Sequence, residues 1–163
     1  MEILKFPDPA LFEVCKEVTV FGSELKILLD AMWETMVKAN GVGLASNQCG
    51  LTFRMLTMIG PNDEKLYIVN PVIIGRSLVP ANLREGCLSS PGIFLVLGER
   101  VSWVKVKYQD ETGKEQERVF HGIHSVCIQH ECQHFLGESF MQSKSIPRAK
   151  RKELAKRYGL KLK

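Results

Sequence analysis

Residues Ile128–His134 read IQHECQH, two histidines four apart with a glutamate directly after the first. From Gly122 onward the apolar spacing turns helical. Ile123, Val126, Cys127, His130 and His134 fall at i, i+3, i+4, i+7 and i+11, one face of an α-helix. The rest of that face is apolar, so both imidazoles are expected to be buried with it, and buried polar rings need partners from elsewhere in the chain. Residues four apart on a helix are neighbours, so His130 and His134 can aim nitrogens at one point. Glu131 stands beside them as the group that would take a proton from water, whose pKa a bound metal lowers from about 15.7 to about 7.

The segments around this helix are mixed. Leu25, Leu28, Leu29, Met32, Met36 and Val37 follow helical spacing, with Ser23 as the expected cap and Asn40–Gly41 as the stop. Thr52 to Ile59 and Leu66 to Ile74 are apolar enough for strands, the second interrupted at Asn70–Pro71. Val104 to Tyr108 alternates apolar and polar residues, DETGK at Asp110 to Lys114 has turn chemistry, and Arg118 to His121 is the expected return strand. Gly137 is the expected end of the histidine helix, and a last short helix is predicted from Pro147 to Tyr158 with Gly159 as its stop. Strands and helices segregate rather than alternate. That predicts an α+β fold, a single domain with antiparallel strands around a central metal-binding helix. A chain of 163 residues, 45% of them apolar, is long enough to bury its own core.

Two imidazoles leave a catalytic ion short of one protein ligand. In one large group of zinc peptidases the pattern continues to a third histidine, HExxHxxGxxH. Here the glycine is present as Gly137, but Phe140 occupies the ligand position. A metallopeptidase with a downstream carboxylate would have to use Glu138 or Glu153. The better candidate lies upstream, where Glu85 to Ser89 reads EGCLS. A Cys87 thiolate would complete a Cys-His-His set and leave a fourth position open for water, as catalytic sites require. A closed structural site in an RNA-binding module would need a fourth ligand from His121 or His124, and His124 is out of phase with the other two.

Five cysteines, an odd count with no CxxC pair and no basic-then-apolar leader, favour free thiols in a reducing cytoplasm. No apolar run approaches the roughly 20 residues needed to cross a bilayer, so no membrane partner is expected. Charge is unevenly placed. Residues 147–163 carry eight Lys or Arg and one Glu, a surplus of seven within a total of +4, which leaves the first 146 residues at −3. The chain therefore divides into a body, 1–146, expected to be catalytic, and a basic helical tail, 147–163, able to meet phosphate backbones in a salt-dependent way.

Three blocks, GVGLASNQ (Gly41 to Gln48), EGCLS (Glu85 to Ser89) and QHECQH (Gln129 to His134), resemble in order and spacing the three motifs of the peptide deformylases. The likeness extends over roughly residues 1 to 145. It implies hydrolysis of the N-formyl group from formyl-methionyl nascent polypeptides. By the same resemblance, Cys87, His130 and His134 bind one divalent metal ion, with Fe(II) the expected native ion and zinc, nickel or cobalt accepted. Glu131 is then the general acid/base, while the Gln48 side chain and the Leu88 backbone N–H donate to the formyl oxygen. Gly41, Val42 and Gly43 would pair with the substrate backbone as an added strand does. Ile123, Val126 and Cys127 would line the methionine pocket, and Glu85 would brace the metal site while paired with Arg100. Relatives in bacteria often carry a C-terminal extension that docks on the ribosome, which makes a ribosome contact through 147–163 an expectation, with the enzyme otherwise a monomer. The chain departs from the family pattern at Ser46, Asn47, Gln133 and Phe135. Gln133 replaces a usual aspartate, which predicts the loss of a structural ion pair.

Overall fold

A computed structural model describes residues 1–162. The apolar spacing that starts at Leu25 becomes α1 (Ser23–Lys38), which buries Leu25, Leu29, Met32 and Met36. Val37, expected on the same face, is instead exposed. Ser23 is the first helical residue rather than the cap. The capping position falls to Gly22, and no side chain bonds to the free N–H groups there. At the other end Asn40 takes a left-handed φ of 54°, and the Gly41 N–H returns to the Met36 carbonyl at 2.9 Å.

Seven strands follow: β1 (Gly43–Ala45), β2 (Met55–Ile59), β3 (Lys65–Arg76), β4 (Arg84–Gly86), β5 (Phe94–Val96), β6 (Trp103–Gln109) and β7 (Glu115–His121). Five form one antiparallel sheet in the order β1-β2-β3-β6-β7, and β4 pairs with β5 in a separate ribbon. β2 is shorter than its apolar run, beginning at Met55 rather than Thr52. β3 is not interrupted at Asn70–Pro71. It bulges there, with a register shift between Val69 and Val72. Pro71 has no N–H for the ladder. Asn70 adopts φ 51° and ties the bulge down, accepting from the Val18 N–H at 2.9 Å and donating to the Val18 carbonyl at 2.8 Å. β7 begins at Glu115, three residues earlier than Arg118, because the Asp110 carboxylate closes the turn by accepting from the Thr112 and Lys114 N–H groups.

β7 runs directly into α2 (Gly122–His134), which carries the two histidines. The pleat sorts the sheet between the two long helices. Leu56, Met58, Ile68, Val104, Val106 and Phe120 pack with Cys127 and Ile128 of α2. Met55, Tyr67 and Val69 point the other way and pack with Leu29, Met32 and Met36 of α1. The observed architecture is thus α+β with antiparallel sheets and three helices. The last helix, α3 (Arg148–Tyr158), ends at Gly159 with φ 61°. Its Leu154 and Ala155, with Leu160, bury in a third cluster beside Phe6, Leu11, Phe140 and Cys87. Among the described residues no helix is long and apolar enough to cross a membrane.

After α2 the chain must turn sharply. Gly137 does this with φ 66°, its N–H bonded to the His134 carbonyl at 3.0 Å, while Phe12 backbone atoms press against the place a Cβ would occupy. Gly137→Ala therefore meets both backbone strain and a collision with main-chain atoms. It should lower unfolding free energy by at least about 2 kcal/mol, read as a shift in urea midpoint at unchanged slope.

Candidate active site

Two separate segments converge on one point. The residue after β4 supplies Cys87, α2 supplies His130 and His134, and the ligand atoms of all three lie within 4.8 Å of one another. The Cys87 Sγ is 3.3 Å from His134 Nε2, and the two imidazole rings meet edge to face with centroids 5.0 Å apart. All three side chains are buried. One sulfur and two imidazole nitrogens this close, with no fourth protein ligand in the cluster, fit a divalent transition ion at an open catalytic site.

The orientation of His130 is set from behind. Its Nδ1 lies 2.6 Å from Glu85 Oε2, which leaves Nε2 as the nitrogen available to an ion. Glu85 is in turn gripped by Arg100, whose Nε donates to Oε1 at 2.7 Å and whose Nη2 donates to Oε2 at 2.9 Å. Burial works against the Glu85 charge, but the bonds from His130 and Arg100 outweigh it and hold the carboxyl below its usual range. For His130 burial likewise opposes charge, yet bonds to Cys87 and Glu85 raise its pKa to about 10. His134 is pushed the other way, by burial first and then by the charge on its neighbour His130. Arg100 also donates to Gln133 Oε1 at 2.7 Å, so the position where an ion pair was expected to be lost still engages the guanidinium, as a neutral acceptor.

Glu131 is 4% exposed, its Oε2 has no hydrogen-bond partner among the described residues, and burial lifts its pKa to about 7. It fits because of Gly43, where a Cβ would sit 2.6 Å from Glu131 Oε1 and 2.5 Å from Cys127 Sγ. Gln48 is buried in the turn after β1. Its Oε1 accepts from the Ala45 N–H at 2.9 Å, and its Nε2 donates to Ser89 Oγ at 3.1 Å with Cys87 Sγ at 3.4 Å. Leu88 lies between Cys87 and Ser89, its carbonyl held by Lys5 Nζ at 2.6 Å.

These groups open on a cavity of about 550 Å³. Gly41, Val42 and Gly43 at the start of β1, Glu85, Cys87 and Leu88 around the end of β4, Ile123, Val126, Cys127, His130 and Glu131 of α2, and Gln48 all line it. Of the residues singled out from sequence, His134 and Arg100 lie behind the wall. Ile123 is 47% exposed, because it faces the cavity rather than the core. Sequence reasoning missed Lys5, Arg84, Gly86, Ile93 and Phe94, which also line it. It missed two aromatic supports as well: Phe6, stacked on His134 at 6.4 Å, and Phe140, against His130 at 5.1 Å. Nothing local marks these residues. Lys5 and Phe6 reach the site because residues 4–6 cross both donor loops, with the Leu4 N–H on the Gln48 carbonyl and the Phe6 N–H on that of Ser89.

Comparison with known proteins gives a consistent result. The sequence profile described as polypeptide deformylase matches residues 1–151. A peptide deformylase of Hahella chejuensis is 36% identical over 164 residues, covering 98% of this chain and 97% of the relative. The crystal structure of a Synechococcus elongatus peptide deformylase in complex with actinonin superposes with a TM-score of 0.88 at 31% identity, covering 99% of this chain and 87% of that one. That of Thermus thermophilus gives 0.85 at 34% identity over 95% of this chain and 90% of the other.

The Arg100–Glu85 fork makes its own prediction. Arg100→Met strands a buried carboxylate without its cation, and unfolding free energy should fall by about 3 to 5 kcal/mol in urea titrations.

Proposed function

The chain belongs to the polypeptide deformylase family, and on that premise we propose how its residues divide the work of a metal-dependent hydrolase acting on the N-formyl group. The observation that carries this assignment is the convergence of Cys87, His130 and His134 beside a buried carboxylate with a free oxygen, on the wall of a large cavity. These three residues hold one divalent ion. Fe(II) is the native ion in this reading, with zinc, nickel or cobalt accepted by the same sulfur and nitrogen donors. When bound, the ion supplies a Lewis acid for the formyl oxygen and an acidified water as nucleophile.

The protein's own groups do the rest. Glu131 takes the proton from the attacking water and passes it to the departing amine nitrogen. Gln48 Nε2 and the Leu88 N–H donate to the formyl oxygen as it gains charge, each worth about 3 to 4 kcal/mol of barrier. The peptide lies extended along Gly41–Val42–Gly43, at the unpaired edge that β1 gives the large sheet. Ile123, Val126 and Cys127 take the methionine side chain, which covers the exposed face of Ile123. Glu85 and Arg100 hold His130 in register. The chain works as a monomer in the cytoplasm, with 1–146 as the catalytic part and 147–163 as a basic tail that meets the ribosome. Arg148, Lys150, Lys152, Lys156 and Arg157 support that last role, since α3 presents all five to solvent.

Three experiments test these assignments. Glu131→Ala should retain one equivalent of metal and lose at least about 10²- to 10⁴-fold in formate release from a formyl-Met-Ala-Ser peptide. Normal release would overturn the role of Glu131. Full metal retention by Cys87→Ser, with cleavage of internal peptide bonds, would favour a metallopeptidase instead. For the tail, deletion is a poor test because Leu154, Ala155 and Leu160 are core residues. Reversing Lys150, Lys152 and Lys156 to Glu should leave formate release unchanged and weaken co-sedimentation with ribosomes; undiminished co-sedimentation would refute the contact.

A further inference from the structure

Ser46, Asn47 and Gln48 are three consecutive polar residues, each no more than 1% exposed, in the short turn Ser46–Cys49. The Ser46 hydroxyl is used by the Phe53 carbonyl, and Gln48 faces Cys87 and Ser89. Asn47 has no part in the chemistry described so far. Its Nδ2 donates at 2.7 Å to the backbone carbonyl of His134, 87 residues further along. Among the described residues this is the only hydrogen bond joining the Ser46–Cys49 turn to α2.

The orientation of that amide follows from its surroundings. Turned over, it would set Oδ1 against another acceptor, since the His134 carbonyl can only receive. As placed, Oδ1 is buried with no partner among the described residues. An apolar side chain of similar size would leave nothing unpaired there, so what Asn47 contributes is its N–H. One end of the bond is a ligand residue at the last turn of α2, and the other is the residue immediately before Gln48.

We propose that Asn47 is a positioning residue: its amide bond to the His134 carbonyl fixes the turn carrying Gln48 against the helix carrying the imidazoles. The proposal rests on the roles given above to Gln48 and His134. A donor displaced by about 1 Å from a developing charge can cost on the order of 10²-fold in rate. Asn47 does not line the cavity, so ground-state binding of the peptide does not depend on it directly.

The test uses Asn47→Leu, which keeps the branched skeleton in a somewhat larger side chain and removes both the donor and the unpaired oxygen. Two readouts are taken on protein loaded with Co(II): formate release from formyl-Met-Ala-Ser, and the rate at which Co(II) alone passes to a chelator. The expected result is kcat lower by about ten- to a hundredfold with KM within about twofold, and Co(II) release faster by about tenfold or more. A merely structural residue would leave both readouts at the parent values, and that result overturns the proposal, whatever happens to the melting temperature. If Asn47→Leu does not fold, Asn47→Ser, whose hydroxyl is too short to span the gap, is judged on the same two readouts. A parent protein that releases no formate defeats the functional reading, while Co(II) release still decides whether Asn47 holds His134 in place.

Discussion

The fork between Arg100 and Glu85 is the interaction on which the geometry of the site depends. A carboxylate in this interior would ordinarily lose its charge or draw in water, and a single imidazole contact would not hold it. Two guanidinium bonds keep Glu85 ionised, and Glu85 in turn fixes which nitrogen of His130 faces forward. Arg100 lies at the end of the loop after β5, Glu85 in β4 and His130 in α2, so one buried ionic contact ties together three parts of the chain that share no sheet. It also sets the distance from β4 to α2, and hence the place where Cys87 meets the imidazoles.

Around that anchor the fold keeps small residues where the site needs room. Gly43 has space for no Cβ because Glu131 and Cys127 occupy it, and at Gly41 a Cβ would fall 2.7 Å from a methyl carbon of Leu88. Gly43 on β1 and Gly41 just before it therefore do more than permit a turn. They let the edge strand approach α2 closely enough that the Glu131 carboxylate and the Cys127 sulfur lie against Gly43. The cavity is lined from two strands of different sheets, β1 and β4, and from α2.

Sequence alone made the helix–metal relationship legible because its signal is local. His130 and His134 share a helical phase with Val126 and Cys127, and burial of the face follows from that spacing. The hairpin at Asp110–Lys114 was legible for the same reason. Boundaries were less so. Asn70–Pro71 looks like a break, but tertiary bonds from Asn70 to Val18 carry β3 through it. Ser23 looks like a cap, yet the helix takes it in as its first residue. β4 and β5 have three residues each, too few for any alternation to stand out. Cys87 could be proposed as a ligand from chemistry and resemblance, but its distance from the histidines was not written in its neighbours. Asn47 and Phe6 were invisible for the same physical reason, since their partners are far away along the chain.

α3 packs Leu154, Ala155 and Leu160 into the cluster that includes Cys87. Cys87 thus shares its apolar surroundings with both ends of the described residues, Phe6 and Leu11 from one and Leu154, Ala155 and Leu160 from the other, so fraying at either end would loosen the packing around its sulfur.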